Sequence, residues 1–349
     1  MKTANYLMCI ILLFVCLFIS CCQTKPMVTE GNARCDNIAA RGHINFLDSN
    51  VLFSEIDTMN ERFKHIADFV AANEVDVILL QEIVGGSIAK TPNSAQDLRA
   101  ILHVEHDLDF NISTAWEIGE PNIFSSANVI LSRCEFLDAK VKKLPRVNES
   151  PFRVGARKKA VSFRRNLQLG HLDIPGGGTL NVYNTHLCAR CDKDGRAEQL
   201  AGLLEIINGV ETAMPGSFPS VLGGDFNFDR FDNDGAEKFM WEMIINNGFI
   251  DAYADFIIAN SGGQETLDTL CEIEDNADEH CTVGVSALDG PHARRIDFVF
   301  AKSPAQIRAA KVVFNDLVDT EEPTVSDHAG VFISLELPQS QSVKRGHLE

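Results

Sequence analysis

A layered α/β fold is the architecture this chain predicts, and three observations predict it. Short apolar runs such as Val75–Leu80 alternate along the chain with amphipathic helical segments, the pattern of sheet layers covered by helices. The composition, 45% apolar and 23% charged over 349 residues, supplies a large core and excludes a disordered, collagen-like or small disulfide-scaffold chain. No internal repeat or low-complexity tract interrupts the alternation.

The first segment stands outside that alternation. Lys2 is the only charge before Lys25, and Tyr6–Ile19 is almost continuously apolar before Ser20, Cys21 and Cys22. Residues 1–22 therefore read as a secretory signal peptide, too short for a membrane span. They read alternatively as a lipoprotein signal, because Phe18-Ile19-Ser20-Cys21 is an imperfect lipobox with Phe in place of the usual Leu; Cys21 would then carry a lipid anchor. Either reading predicts an exported protein, secreted or held at the envelope. The cysteines beyond this segment are Cys35, Cys134, Cys188, Cys191, Cys271 and Cys281, an even set that suits disulfides in an exported chain. Cys188 with Cys191 and Cys271 with Cys281 are the natural local pairs, although six cysteines permit other connectivities. Cys188-Ala189-Arg190-Cys191 has no second CxxC or HxxxH at finger spacing, so zinc and redox catalysis rank below a disulfide.

Residues 23–41 read as a linker and 338–349 as a polar tail. Between them, Arg41–Leu52 is a strand candidate, and Asp57–Asn73 a helix with Phe63, Ile66 and Val70 on one face and Asp57 or Thr58 as its cap. Val75–Leu80 suits a buried strand, and Ser94–His103 opens with a Ser/Asp capping box. Further strands are predicted at Asn128–Ser132, Lys159–Ile174, Thr179–His186, Ser220–Asn227, Arg294–Ala301 and Gly330–Leu337, with a hairpin turn at 175–178. Helices at Arg196–Ile207 and Gly235–Ile245 complete the pattern.

The chemistry-bearing residues sit where those strands end. Val75–Leu80 runs into Gln81-Glu82, Ser220–Gly224 into Asp225-Phe226-Asn227, Asn181–Thr185 into His186, and Ser326-Asp327-His328 precedes the last strand. A lone Glu after a strand is ordinarily a solvated turn residue, and a lone His a satisfied core residue. Five such groups at successive strand ends point instead to one active site at a sheet edge.

Asn50 in SNVLF, Glu82 in LLQEI, NVILSR, His186 in NTHL, Asp225 and Asn227 in GGDFN, Asp297 in RIDFVF, and Asp327 with His328 in SDHAGV follow one another in an order that resembles the endonuclease/exonuclease/phosphatase superfamily, which includes deoxyribonuclease-I-like enzymes. The resemblance spans Asn50 to His328, so it implies a single catalytic domain over 42–337 and displaces the rough two-domain prior that length alone suggests. It further implies a four-layer αββα sandwich, two mixed sheets face to face with helices outside. Its activity would be metal-dependent hydrolysis of a phosphodiester. The anion repels nucleophiles and the alkoxide leaves poorly, so a hard cation, a proton acceptor and a proton donor are needed. On these positions Glu82, Asn50 and Asp327 would hold the metal, and their oxygens suit Mg²⁺ or Mn²⁺ better than Zn²⁺. Asp225 and Asn227, two apart on an extended segment, would position water and a phosphoryl oxygen. His186 and His328 would flank the phosphorus, and Asp297 would orient and charge His328. The resemblance also implies a mid-chain Tyr or Glu supporting the first His; Glu117 and Glu120 both qualify and the sequence does not choose.

The substrate is less sharply indicated. From Lys142 to Arg165 there are nine basic residues and one acid, Glu149, in a chain of net charge −18. That stretch reads either as a solvated strand pair or as a track for polyanions. Arg157, Lys158 and Lys159 are the substrate contacts it suggests, and Arg133 in ILSR reads either as a further contact near the site or as a structural surface residue. A nuclease ranks slightly ahead of a sphingomyelinase or phospholipase-C-like enzyme, to which THLCA followed by Arg196 and Gln199 bears a resemblance. A non-catalytic binding protein on this fold would be expected to have lost one of Glu82, His186, Asp225 or His328, and all four are present. The acidic run Asp268–Glu279 reads as an exposed loop ahead of a Ca²⁺ site, and the 232–235 turn, which lacks the spacing of a calcium loop, likewise as a turn.

Overall fold

The computed structural model describes residues 26–31, 33, 35–53, 56–120, 123–150, 152–154, 159–161, 163–175, 178–230, 237–263, 266–267, 270–271, 280–283, 294–315 and 325–337. Two mixed sheets carry the architecture. The first runs in the order β1 (Met27–Thr29), β4 (Asn111–Glu120), β5 (Phe124–Ser132), β3 (Val77–Gly85), β2 (His43–Asn50), β15 (Gly330–Glu336), β14 (Ile307–Val313). The second runs β12 (Phe249–Asp251), β13 (Asp297–Lys302), β11 (Val221–Asp225), β10 (Gly178–His186), β9 (Asn166–Ile174), β6 (Phe136–Lys143). A small hairpin pairs β7 (Phe152–Val154) with β8 (Lys159–Val161).

Alternation along each strand sorts its side chains to two faces. Ile44, Phe46, Val77, Leu79, Val182, Val221, Val299 and Ile333 fill the space between the sheets. The intervening residues face outward under helices. α2 (Met59–Ala72) and α3 (Ser94–His106) lay Phe63, Ile66, Leu98 and Leu102 against Ile78 and Leu80 of the first sheet. α4 (Lys193–Ala213) and α5 (Lys238–Asn246) lay Leu200, Leu203, Met240 and Ile244 against Leu222 and Phe300 of the second. The result is the four-layer αββα sandwich. Two further helices, α1 (Asp36–Arg41) and α6 (Ala252–Asn260), close its margins. No helix among the described residues is long and apolar enough to cross a membrane.

Followed toward one end of the sandwich, the inward-facing residues turn from apolar to polar. Phe46 gives way to Asp48 and Asn50 on β2, Leu79 to Gln81 on β3, Val182 to Asn184 and His186 on β10, and Val221 to Gly223 and Asp225 on β11; all are buried. Each sheet contains a central parallel pair, β2 with β3 and β10 with β11. These polar residues lie at the carboxyl ends of those pairs, where loops diverge and leave a crevice.

Several expectations need correction. The span 23–41 carries β1, paired with β4, and α1, so it is built into the fold rather than a linker. The stretch Lys159–Ile174 is two strands, β8 and β9, broken by the buried Arg165. α3 is capped by Asn93, whose side chain accepts from the Ala95 N–H, while the Ser94 hydroxyl accepts from the Val84 N–H instead. The pairs Cys188–Cys191 and Cys271–Cys281 form, and Cys35–Cys134 joins α1's start to the loop after β5. The signal segment with Cys21, the 232–235 turn, the acids of 268–279 and the tail lie outside the described residues.

Candidate active site

Pairing register assembles the first three groups. His186, the last residue of β10, stands opposite Asp225, the last of β11, and Asp225 stands opposite Asp297, the first of β13. Three neighbouring strands thus present one row of side chains to the inter-sheet crevice. Two glycines let the row form. A Cβ at Gly223 would sit 2.5 Å from Leu79 Cδ1 of the facing sheet, and one at Gly224, which has φ +144°, would sit 2.0 Å from the Thr185 carbonyl oxygen. The double glycine before Asp225 is therefore demanded by close approach.

Loops and the facing sheet complete the cluster. His328, in the loop before β15, bonds through Nδ1 to both Asp297 carboxylate oxygens at 3.1 and 2.9 Å. Its Nε2 lies 4.0 Å from Asp225 Oδ2, and His186 Nε2 lies 3.4 Å from the same oxygen. Asn50, at the end of β2, donates from Nδ2 to Asp225 Oδ2 at 3.0 Å and to Glu82 Oε1 at 3.3 Å, so it brackets carboxylates of both sheets. Its Oδ1 accepts from the Leu52 N–H at 3.1 Å. The Glu82 carboxylate also accepts from the Phe53 N–H at 2.9 Å. Asp327 stands beside Glu82 closely enough for their like charges to interact.

Two of these residues have unusual backbones. Glu82 has φ +62° within a β-bulge between Leu80 and Ile83. A bulge of this kind re-aims a side chain at the cost of local strain, and here it accompanies the Glu82 carboxylate's contacts with Asn50 and Phe53 rather than a continued ladder. Asn227 has φ +52°, its N–H donating to Asp225 Oδ1 at 2.9 Å and its amide to the Leu187 carbonyl at 3.1 Å. It is not on an extended segment as expected; a left-handed turn, favoured by Asn, brings it beside Asp225.

Of the two mid-chain acids, Glu117 has a described side chain, and it lies behind His186. Glu117, on β4, has Oε2 3.8 Å from His186 Nδ1, which has no hydrogen-bond partner among the described residues. Glu117 in turn receives Arg165 Nη1 at 3.1 Å and Asn128 Nδ2 at 3.1 Å, and Arg165 reaches Glu149 at 2.8 Å. Behind the row, Gln81 links Asp48 at 2.9 Å to Asn184 at 2.8 Å. The apolar-to-polar change along each strand was the signal that could have found Asp48 and Asn184.

Burial sets the protonation behaviour. It pushes the Asp225 carboxyl up to about 7, with the neighbouring Asp297 charge adding to the effect. Burial likewise lifts Glu117 to about 7, against the pull of Arg165, and raises Glu82, with Asp327 contributing. His186 is held well below the ordinary imidazole range by burial and by the Arg165 and His328 charges. His328 goes the other way: burial opposes its charge, but the charge and hydrogen bonds of Asp297, with Asp225 and Asp327, outweigh it. One histidine is thus neutral and its counterpart cationic, on either side of a carboxylate that titrates near neutrality.

The donor set fits a hard divalent cation. Asp225 and Asp297 are met by His328, whereas Glu82 and Asp327 form no ion pair among the described residues and stand close enough for their like charges to interact, a pair that a cation between them would offset. Glu82 and Asp327 are free to offer carboxylate oxygens. Asn50 turns its nitrogen to the carboxylates and would serve as a ligand only with its amide turned over.

The expected substrate contacts fare differently. Arg133 follows β5 at the opposite end of the sheet, its N–H bonded to the Asp76 carbonyl just before β3 begins, so the strand separates it from the cluster. Arg157 and Lys158 lie outside the described residues, and of Lys159 only its place in β8 is described. Arg196 and Gln199 hold the loop behind His186: Arg196 Nε donates to the Cys188 carbonyl and Gln199 accepts from the Cys188 N–H, both at 3.0 Å.

Against known proteins, the model of the endonuclease/exonuclease/phosphatase family matches residues 49–328. Among solved structures, the chain is similar to the endonuclease/exonuclease/phosphatase from Beutenbergia cavernae DSM 12333 at 22% identity and a TM-score of 0.58, over 85% of this chain and 72% of that one. It is similar to the human Nocturnin catalytic domain with bound sulfate anion at 14% identity and 0.58, over 90% and 97%. A truncated Caenorhabditis elegans TDP2 follows at 16% and 0.51, over 84% and 97%. At these identities the likeness establishes the fold. Among curated proteins none matches the chain.

Proposed function

Because the chain belongs to the endonuclease/exonuclease/phosphatase family, whose members hydrolyse phosphoester bonds, we propose that it is an exported, divalent-metal-dependent phosphodiesterase of the nuclease type. One observation carries the reading: His186 and His328, one neutral and one cationic, converge on a single oxygen of Asp225 at 3.4 and 4.0 Å. A group that accepts a proton near pH 7 between a neutral and a charged imidazole is suited to general acid-base work on an anionic ester. The three disulfides accord with export.

Glu82 and Asp327, with Asn50 alongside, would hold Mg²⁺ or Mn²⁺. Bound there, the cation supplies a Lewis acid that offsets charge developing on the phosphoryl group. The chain's own residues do the rest. Asp225 takes a proton from the attacking water as its oxygen bonds to phosphorus. His328, kept charged by Asp297, donates a proton to the departing alkoxide as the ester P–O bond breaks, so a diester and water become a monoester and an alcohol. His186, backed by Glu117, and Asn227 hold the phosphoryl oxygens.

A Mg²⁺-dependent assay of the mature chain on plasmid DNA and on sphingomyelin vesicles, with His186→Ala as control, tests this. Nicking of DNA that the variant lacks supports the nuclease reading; phosphocholine release instead assigns the lipid branch; silence on both refutes both readings and points to a small phosphorylated metabolite or a phosphomonoester. Loss of about 10²–10⁴-fold is expected for His186→Ala.

A further inference from the structure

A second feature lies at the β6 edge of the second sheet, two strands from β10. β6 ends at Lys143 opposite Asn166 of β9, so the loop that follows leaves the sandwich at the same end as the catalytic row. That loop, Leu144–Glu149, the segment Phe163–Arg165 and Gln199 of α4 enclose a cavity of about 470 Å³, within the size range of small-ligand sites. The loop is tied down at both sides: the Leu144 N–H donates to the Arg165 carbonyl at 3.0 Å, and the Ser150 N–H to the Arg190 carbonyl at 3.2 Å.

The charge of this cavity is lopsided. Arg165 forms one wall, but its guanidinium is buried, paired with Glu117 and Glu149, and stacked on the Phe163 ring at 4.1 Å. Glu149, the acid of the lining, is consumed by that pairing. Lys143, Arg146 and Arg164 are exposed and have no acidic partner among the described residues. Three uncompensated cations around one cavity repel one another, in a chain whose net charge is −18. An anionic ligand relieves that repulsion, and concave walls strengthen its attraction.

Resting on the phosphodiesterase reading, we propose that this cavity is a subsite for the phosphate backbone of a nucleic-acid strand flanking the bond cut at His186. Adjacent strands lie about 4.8 Å apart, so β6, two strands from β10, sets the subsite about 10 Å from the catalytic row, near enough for a neighbouring phosphate of the same strand. The half-buried Phe163 offers an aromatic wall to a base or sugar. Among the described residues, none of the exposed large apolar side chains lines this cavity, so the rim offers a polyanion contacts and a bilayer none to insert. Arg165 belongs to both cavity and site: occupation of the cavity acts on the guanidinium that charges against Glu117, and through Glu117 on His186.

The test compares the intact chain with a Lys143→Ala/Arg146→Ala/Arg164→Ala variant. Binding of a labelled single-stranded oligonucleotide is measured against salt, each protein carrying His186→Ala to prevent cleavage, and kcat/KM is measured with His186 intact on that oligonucleotide and on bis(p-nitrophenyl) phosphate. Three lost phosphate contacts are expected to lower the log-log salt slope by about 2, and the ratio of oligonucleotide to small-diester kcat/KM by about tenfold or more. An unaltered slope and ratio overturn the subsite. So does a variant that fails only in releasing phosphocholine from sphingomyelin vesicles. If the triple variant misfolds, Arg146→Gln and Arg164→Gln singly are each expected to lower the slope by about 0.7, and no change in either refutes the proposal. An intact chain inert on both diesters refutes the hydrolase reading, while the binding arm still judges the cavity.

Discussion

Replacing Glu117 by Gln separates the energetic cost of this site from its use. Burial lifts the Glu117 carboxyl from 4.5 to about 7, so between those values the unfolded chain has released a proton that the folded chain retains. A raised carboxyl stabilises the fold fully below the unfolded value, and that contribution is lost as pH rises through 7. Each unit of difference corresponds to about 1.4 kcal/mol, so wild type is expected to lose roughly 3 kcal/mol relative to Glu117→Gln on going from low pH to pH 8. Any constant penalty of the substitution cancels when the difference between two pH values is taken. The assay is urea unfolding of both proteins, oxidised and metal-free, at pH 5 and pH 8, where the stability gap should move by about 2–3 kcal/mol in the variant's favour. A gap that stays constant, or moves toward wild type, shows that Glu117 is ionised in the fold throughout and that Arg165 outweighs burial. The same variant should hydrolyse substrate more slowly, because an amide pairs less well with Arg165 and leaves the support behind the neutral His186 less firmly placed.

Three further outcomes follow from the geometry. Asp297→Asn removes the carboxylate that orients and charges His328, and a loss of about 10²–10⁴-fold in kcat with intact folding is expected; near-normal turnover in both Asp297→Asn and His328→Ala would reject their roles. Chelation of divalent metal should abolish hydrolysis, and full activity in chelator would reject Glu82 and Asp327 as ligands. Replacing Cys35 and Cys134 by Ser opens a loop with a sequence separation of 99, so thermal or urea unfolding should show a loss of about 4–5 kcal/mol, while activity per folded molecule survives because the bridge lies at the end of the sheets remote from the site.

The elements legible in the sequence are those with the strongest patterns: buried central strands, and helices with one apolar face. Those that escaped are mostly at sheet edges. β1, β6 and β14 are the outermost strands on three of the four edges, and an edge strand such as Phe136–Lys143 is only partly buried, so charged residues tolerated there erase the two-residue period. The short β1 was hidden further by its place in an apparent linker. In the row, His186 and Asp225 were legible because each terminates an apolar run and His328 because it stands just before one, whereas Asp297, which opens β13, was reached only through the family resemblance. Glu82 was legible as a residue but not as a conformation, since nothing local announces a bulge with φ +62°; that backbone is held by contacts with Phe53 and Asn50 from β2's end.

Basic residues show why the remainder was hidden. Arg133, Arg164 and Arg165 are indistinguishable as residue types, yet one anchors the far end of a sheet beside Asp76, one is exposed at a cavity rim, and one is buried between Glu117 and Glu149. Charge in a sequence gives sign without partner, and the partner decides the consequence. Arg62 makes the point for position. It belongs to α2, reads as part of a solvated helix face, and is buried, with Nη1 donating to the Val51 carbonyl at 2.6 Å and the Val325 carbonyl at 2.8 Å. Those carbonyls flank Asn50 on one side and Ser326-Asp327-His328 on the other, so one guanidinium ties together the two loops that bring Asn50, Asp327 and His328 to the crevice. A buried cation bonded to carbonyls is tolerated only where its donors are met, and here that requirement fixes the distance between segments more than 260 residues apart in the chain. The active site thus depends on a residue whose role rests on a three-dimensional coincidence of loops, for which a periodic sequence pattern carries no signal.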